Sequence, residues 1–266
     1  MLNDDQELLA KSTSYITPMR YVSGRIVEYD IASANITMLH MYGKIDSYTY
    51  NYLKSLPKYN REIEVGLLIK SDISYYNIIR DGIIDAKRAL FNSNNIDPAS
   101  VVRIANDAVY INSSVDLKYC QFNDVVFKKK SVSSAMLKLD KLIIFFWYND
   151  DGLNIDVKGM NEMVQSLHSE YLLSIIAEAI YIMERVSMDD ALKFVGDFYK
   201  DYINLKLPKE YYRELNPQSL YHFKNSNFYL SSIESVYDLD INYNLYIIRE
   251  LWSIILERYN IEIKKR

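Results

Sequence analysis

Cysteine is almost absent: Cys120 stands alone among 266 residues, so the chain can form neither an internal disulfide nor a thiolate metal cage. Glycine and proline are scarce too, at 7 and 5 residues. Few positions are then suited to tight turns or left-handed backbone, which argues against an all-β sandwich and a glycine-rich phosphate loop. The three histidines, His40, His168 and His222, lie far apart and lack metal-ligand spacing. No stretch approaches about 18 uninterrupted apolar residues, so no membrane span is expected. Nor does the start, with Asp4, Asp5 and Glu7, have the basic-then-apolar order of a secretory signal. A reducing, cytoplasmic setting is the expectation.

What is present suits a folded chain. Hydrophobic residues make up 49% and charged residues 25%, a globular rather than a disordered balance. Tyrosine is the outlier, with 25 residues against 9 Phe and 2 Trp. AT-rich coding accounts for such an excess; stacking on bases or bonding to phosphates is the functional alternative. The formal charge of −4 offers nucleic acid no bulk attraction, so binding would need a local basic face.

Periodicity divides the chain. Residues 15–18 and 25–31 read as extended, the second alternating and rich in β-formers. From Ser33 the period turns helical, and further helices are expected over 47–56, ended by Pro57, and over 60–69. Ile73, Tyr76, Ile79, Ile83, Ala86 and Leu90 predict a longer amphipathic helix. Residues 101–104 and 108–111 form an expected hairpin with Asp107 at its tip, and 125–127 is another strand candidate. Residues 142–148 and 153–157 form a second hairpin across 149–152. Beyond Gly159 an apolar stripe from Met163, Val164 and Leu167 to Met183 predicts a long helix. A Ser187/Asp190 capping box starts another helix running to about Asn204, and 245–259 is a last one. The fold class is therefore α+β, a small antiparallel sheet with packed helices followed by an all-α C-terminal region. The composition changes near residue 158, so the expected domains are 1–158 and 159–266.

Two carboxylates stand where chemistry would need them. Asp30 closes the first strong strand and Asp107 occupies the later hairpin tip. If these strands are neighbours, the two can share divalent cations. Phosphoryl transfer to a nucleic-acid 3′ end uses such a pair, with hard cations about 3.5–4 Å apart. It requires positioning and charge neutralisation rather than a Cys, His or Ser nucleophile.

The surrounding residues carry a resemblance. Glu28-Tyr29-Asp30-Ile31-Ala32-Ser33-Ala34-Asn35 resembles the first palm motif of family-B DNA polymerases, Asp-x-x-Ser-Leu-Tyr, with Asp30 and Ser33 in register. The stretch from Arg103 to Ile111 resembles the third palm motif, Tyr-x-Asp-Thr-Asp-Ser, with Asp107 at its second aspartate. Phe127-Lys128-Lys129-Lys130-Ser131-Val132 is similar to the following Lys-x-Tyr element, and Lys158-Gly159 to the Lys-Gly step into the thumb. Together these segments look like a divergent, phage-type palm. Ala105 replaces the motif's first aspartate, Ala108 its serine, and Val132 the tyrosine of Lys-x-Tyr. Asn35 stands where the family has the tyrosine that screens the sugar, and the fingers motif has no clean counterpart.

The resemblance implies a palm over 1–158 and a helical thumb-like or partner-binding region after it. It implies metal-dependent nucleotidyl transfer, with Asp30 and Asp107 as catalytic residues and ligands of Mg²⁺ or Mn²⁺. Ser33, Asn35, Arg61 and Lys70 would bind the nucleoside triphosphate, and Lys128, Lys129, Lys130 and Lys158 the nucleic-acid backbone. Other replication proteins would be further partners. Each residue also has a plainer reading. Asp30 can act as a helix N-terminal acid, Asp107 as ordinary turn chemistry, and the lysine run as a solvated edge that discourages aggregation. Glu28 and Asp116 read as solvated surface acids rather than accessory ligands. The alternatives are a non-catalytic palm-derived subunit, a helical phage-type adaptor, or a nuclease using the same carboxylates.

Overall fold

The alternating residues 25–31 belong to a longer strand, Tyr21–Ile31, on which the rest is arranged. A computed structural model describes residues 2–149, 152–160, 165–166, 168–212 and 241–265. The elements are α1 (Asp4–Lys11), β1 (Ser14–Ile16), β2 (Tyr21–Ile31), α2 (Ala34–Met41), α3 (Ser47–Ser55), α4 (Lys58–Ser71) and α5 (Ser74–Asn94). Then come β3 (Val101–Ala105), β4 (Ala108–Asn112), β5 (Gln121–Phe122), β6 (Val125–Leu139), β7 (Leu142–Asn149) and β8 (Gly152–Lys158). Among the described residues, further helices are α6 (Leu172–Arg185), α7 (Met188–Ile203) and α8 (Ile241–Lys265). The class is α+β, with antiparallel strands, packed helices and a helical C-terminal stretch, as the periodicity predicts.

Packing divides the chain into two compact units, 1–18 with 24–132, and 19–23 with 133–266. Strands β2 and β6 contribute residues to both. The composition change at 158 therefore marks the end of β8, while the packing divides at Val132 and Ser133. The reason lies in the apolar half of β6, which shares its core with the helices that follow.

In the first unit the strand order is β1-β3-β4-β2-β6, with β5 beside β6. Side chains alternate along β2, so Val27, Tyr29 and Ile31 enter the core with Ile36, Met38 and Leu39 of α2 and Ile79, Leu90 and Phe91 of α5. Glu28 and Asp30 consequently occupy the other face of that strand. The stripe expected along α5 is only partly covered: Ile79, Ala86 and Leu90 are buried, whereas Ile73 is 68% exposed and Tyr76 is exposed as well. Helix α4 packs against α3 and α5 and buries Val65.

In the second unit the apolar half of β6 pairs with β7, and β7 with β8. Leu137, Leu139, Ile144 and Phe146 meet Leu172, Ile176, Ala179 and Ile180 of α6, with Val195 of α7 and Ile247, Leu251 and Ile255 of α8. Ser187 caps α7 by accepting the Asp190 amide at 3.0 Å, as its sequence predicts. Met163, Val164 and Leu167 of the expected stripe lie outside the described residues. Strand β6 is far longer than its sequence suggests, because Lys128 to Ser134 interrupt any apolar alternation.

Candidate active site

Strand register brings the two aspartates together. β2 and β4 run antiparallel with Glu28 opposite Tyr110 and Asp30 opposite Ala108, so Asp107, one residue before Ala108, lies beside the end of β2. The Ile31 amide donates to the Asp107 carbonyl at 3.4 Å. Asn106 and Asp107 form the two-residue turn between β3 and β4. Asn106 adopts the left-handed φ of 52°, which asparagine tolerates. Its amide donates to the Thr13 carbonyl at 2.8 Å. Turn chemistry and site geometry thus coexist in one segment.

The carboxyl groups of Asp30 and Asp107 are close enough to act on each other. Burial and then the charge of Asp30 push the Asp107 carboxyl up to about 6. A pair of like charges so placed favours a shared proton or a cation. Capping does not account for Asp30: helix α2 takes Ser33 as its N-cap, with a left-handed φ of 53° and no side-chain cap bond. Asn35 lies exposed in the first turn of α2.

Lysines flank the pair. On β6 the Lys130 Nζ lies 3.3 Å from Asp30 Oδ2 and 3.6 Å from Glu28 Oε1. Burial opposes its charge, but Asp30 and Glu28 outweigh that and hold its pKa above the ordinary value. Glu28 is not the solvated acid expected from its sequence: it is 3% exposed and accepts from the Ser131 hydroxyl at 2.7 Å. Asp116 is exposed and pairs with Arg25 and Lys129.

Lys87 was not among the expected site residues. It is fully buried on α5, and its ammonium donates to the carbonyls of Ser12 and Asn106, the latter at 3.2 Å. Burial drives its pKa down to about 8 against the attraction of Asp107. Its bond to Asn106 fastens the turn that carries Asp107. The available signal was a lysine between Ile83 and Leu90 on the face that α5 buries.

The donor set at Asp30 and Asp107 is oxygen only, which fits a hard divalent cation completed by water and phosphate oxygens. Among the described residues no group of three or more His, Cys, Asp or Glu side chains could hold a metal ion. Residues 4–260 match the family described as bacteriophage PBS1 gene 130 protein. The chain belongs to that family. No curated protein matches it.

The remaining expected residues of this phage protein lie on several elements. Arg61 and Lys70 lie on α4, partly buried and exposed respectively. Lys128 is exposed on β6, Lys129 pairs with Asp116 at 2.8 Å, and Lys158 pairs with Asp156 at 2.7 Å in the second unit. Among the described residues no helix is long and apolar enough to cross a membrane.

Proposed function

We propose that this phage protein carries out metal-dependent nucleotidyl transfer from a nucleoside triphosphate to a nucleic-acid 3′ hydroxyl, on a site resembling a divergent family-B palm. The observation that carries the reading is the meeting of Asp30 and Asp107 at one end of adjacent strands. The element order supports it: a strand ending in Asp30, a helix, intervening helices, then a hairpin bearing Asp107.

Bound Mg²⁺ or Mn²⁺ would activate the attacking hydroxyl and neutralise the leaving pyrophosphate. Asp30 and Asp107 would hold it; Lys87 fixes the hairpin turn behind Asp107. Ser33 and Asn35, one turn beyond Asp30, together with Arg61 and Lys70 on α4, are the residues assigned to the triphosphate. Lys128, Lys129 and Lys130 are assigned to the nucleic-acid backbone; Lys158, assigned to it as well, belongs to the second unit.

Extension of a primed template with Mg²⁺ or Mn²⁺ tests the reading. Asp30→Ala and Asp107→Ala should each reduce incorporation by more than about a hundredfold, since outer partners of metal sites alone cost 10–100-fold. Extension that survives both changes would refute the assignment. A non-catalytic palm-derived subunit is favoured by Ala105, which supplies no carboxylate where the resembling motif has its first aspartate. Absence of incorporation with retained template binding supports that second reading. Strand cleavage in the same gel would instead identify a nuclease.

A further inference from the structure

Resting on the reading that nucleic acid is the substrate, we propose that α3 and the start of α4 form a docking surface for an unpaired nucleic-acid strand. The core uses little of either helix: α3 buries Leu53 alone and α4 Val65 alone. What they present instead is aromatic and basic. Tyr48, Tyr52 and Tyr59 are 83%, 52% and 74% exposed. Tyr48 and Tyr52 are four residues apart and therefore share one face of α3. Between them Tyr50 is already occupied, stacked on His40 with ring centroids 4.6 Å apart and with the Lys54 Nζ 5.2 Å from its ring centre.

Charge selects the occupant. Residues 47–61 carry Lys54, Lys58 and Arg61 and no acid, in a chain whose formal charge is −4. The bordering acids are engaged. Asp46 caps α3 by accepting from the Thr49 amide at 2.7 Å, and Glu62 lies 3.8 Å from the Lys58 Nζ. The Lys58 and Glu62 side chains are 77% and 54% exposed, so their pairing is weak and leaves Lys58 available to a polyanion. Apolar docking of a protein would not call for this local excess of positive charge, whereas a phosphate backbone does. Stacking narrows the occupant further, because a tyrosine ring needs a base whose face is open. Exposed rings interleaved with basic side chains hold unpaired strands without reading their sequence.

Fluorescence anisotropy of labelled oligothymidylate and oligouridylate of about 16 nucleotides, with the full chain in EDTA, tests this. The wild type should bind single strands more tightly than a duplex of the same length, and the tighter of the two names the sugar. Tyr48→Ala, Tyr52→Ala and Tyr59→Ala should each weaken binding at least about fivefold, while the corresponding Phe variants keep it because the ring remains. Lys54→Ala combined with Lys58→Ala should flatten the slope of log affinity against log salt by about 1.4, two contacts at about 0.7 each. Asp30→Ala should bind without loss, since that aspartate lies outside the surface. Equal affinity for duplex, alanine variants that bind like the wild type, or an unmoved salt slope would overturn the surface. So would a changed oligomeric state in the alanine variants with strand binding intact, which would make the rings a protein contact. Primer extension separates this inference from the reading beneath it. Extension that proceeds without strand binding at these rings overturns the surface alone; ring-dependent binding without extension overturns nucleotidyl transfer alone.

Discussion

Replacing Lys87 with methionine isolates the cost of an ammonium group buried behind the candidate site. The lysine is wholly buried, and its pKa falls from the ordinary 10.5 to about 8. At 1.36 kcal/mol per pH unit that displacement is worth about 3 kcal/mol. The sign follows from proton counts. Between about pH 8 and 10.5 the folded chain has released the proton that the unfolded chain still holds, so stability rises with pH. Below pH 8 both states hold it and the full penalty applies. Lys87→Met has no such proton, so its stability should lack that rise. Burial also drives Tyr21 well above its ordinary range, a separate alkaline effect that starts near pH 10 and is common to both proteins. Urea unfolding at intervals from pH 7 to 9.5 gives the comparison. The wild type should gain on the order of 2 kcal/mol over the variant across this interval. Parallel curves would refute the account of Lys87 as a desolvated charge held by two carbonyls.

Other outcomes follow from the same geometry. Asp107→Asn should stabilise the metal-free chain at pH 7.5 and remove a fall in stability between about pH 4 and 6. The raised carboxyl pKa lets the folded state hold a proton there that the unfolded state loses, a difference visible in thermal melts. Ser131→Ala should cost about 1.5–3 kcal/mol, the worth of a bond to a charged group, because Glu28 loses a partner while remaining buried. Denaturant midpoints measure it. Ser187→Ala removes the N-cap of α7 and should cost about 1 kcal/mol by the same measurement, since the Asp190 amide loses its acceptor.

Much of the local structure was legible in residue order. Alternation marked β2, the Asn106-Asp107 pair marked a hairpin turn, Pro57 separated α3 from α4, and Ser187 announced α7. Each is a short-range effect of φ/ψ preference, capping or side-chain period. Strand β6 was not legible, because Lys128, Lys129, Lys130 and Ser131 give no apolar rhythm and the strand is specified by its neighbours. Helix α5 misled in one respect: its stripe begins at Ile73 and Tyr76, where packing does not cover it.

The candidate site shows the same division. Asp30 and Asp107 could be nominated from strand ends and turn chemistry. Their meeting, the burial of Glu28, the seat of Lys130 and the role of Lys87 could not be derived from residue order, since all depend on pairing between distant segments. Sequence by itself determined most of the helices and strands, β6 excepted, and which side of β2 is apolar, because those depend on neighbours along the chain. Tertiary structure alone decided that Asp30 lies beside Asp107 and within reach of Lys130. A slip of one residue between β2 and β4 would turn these groups to opposite faces, and the register that prevents it is held by the packed core.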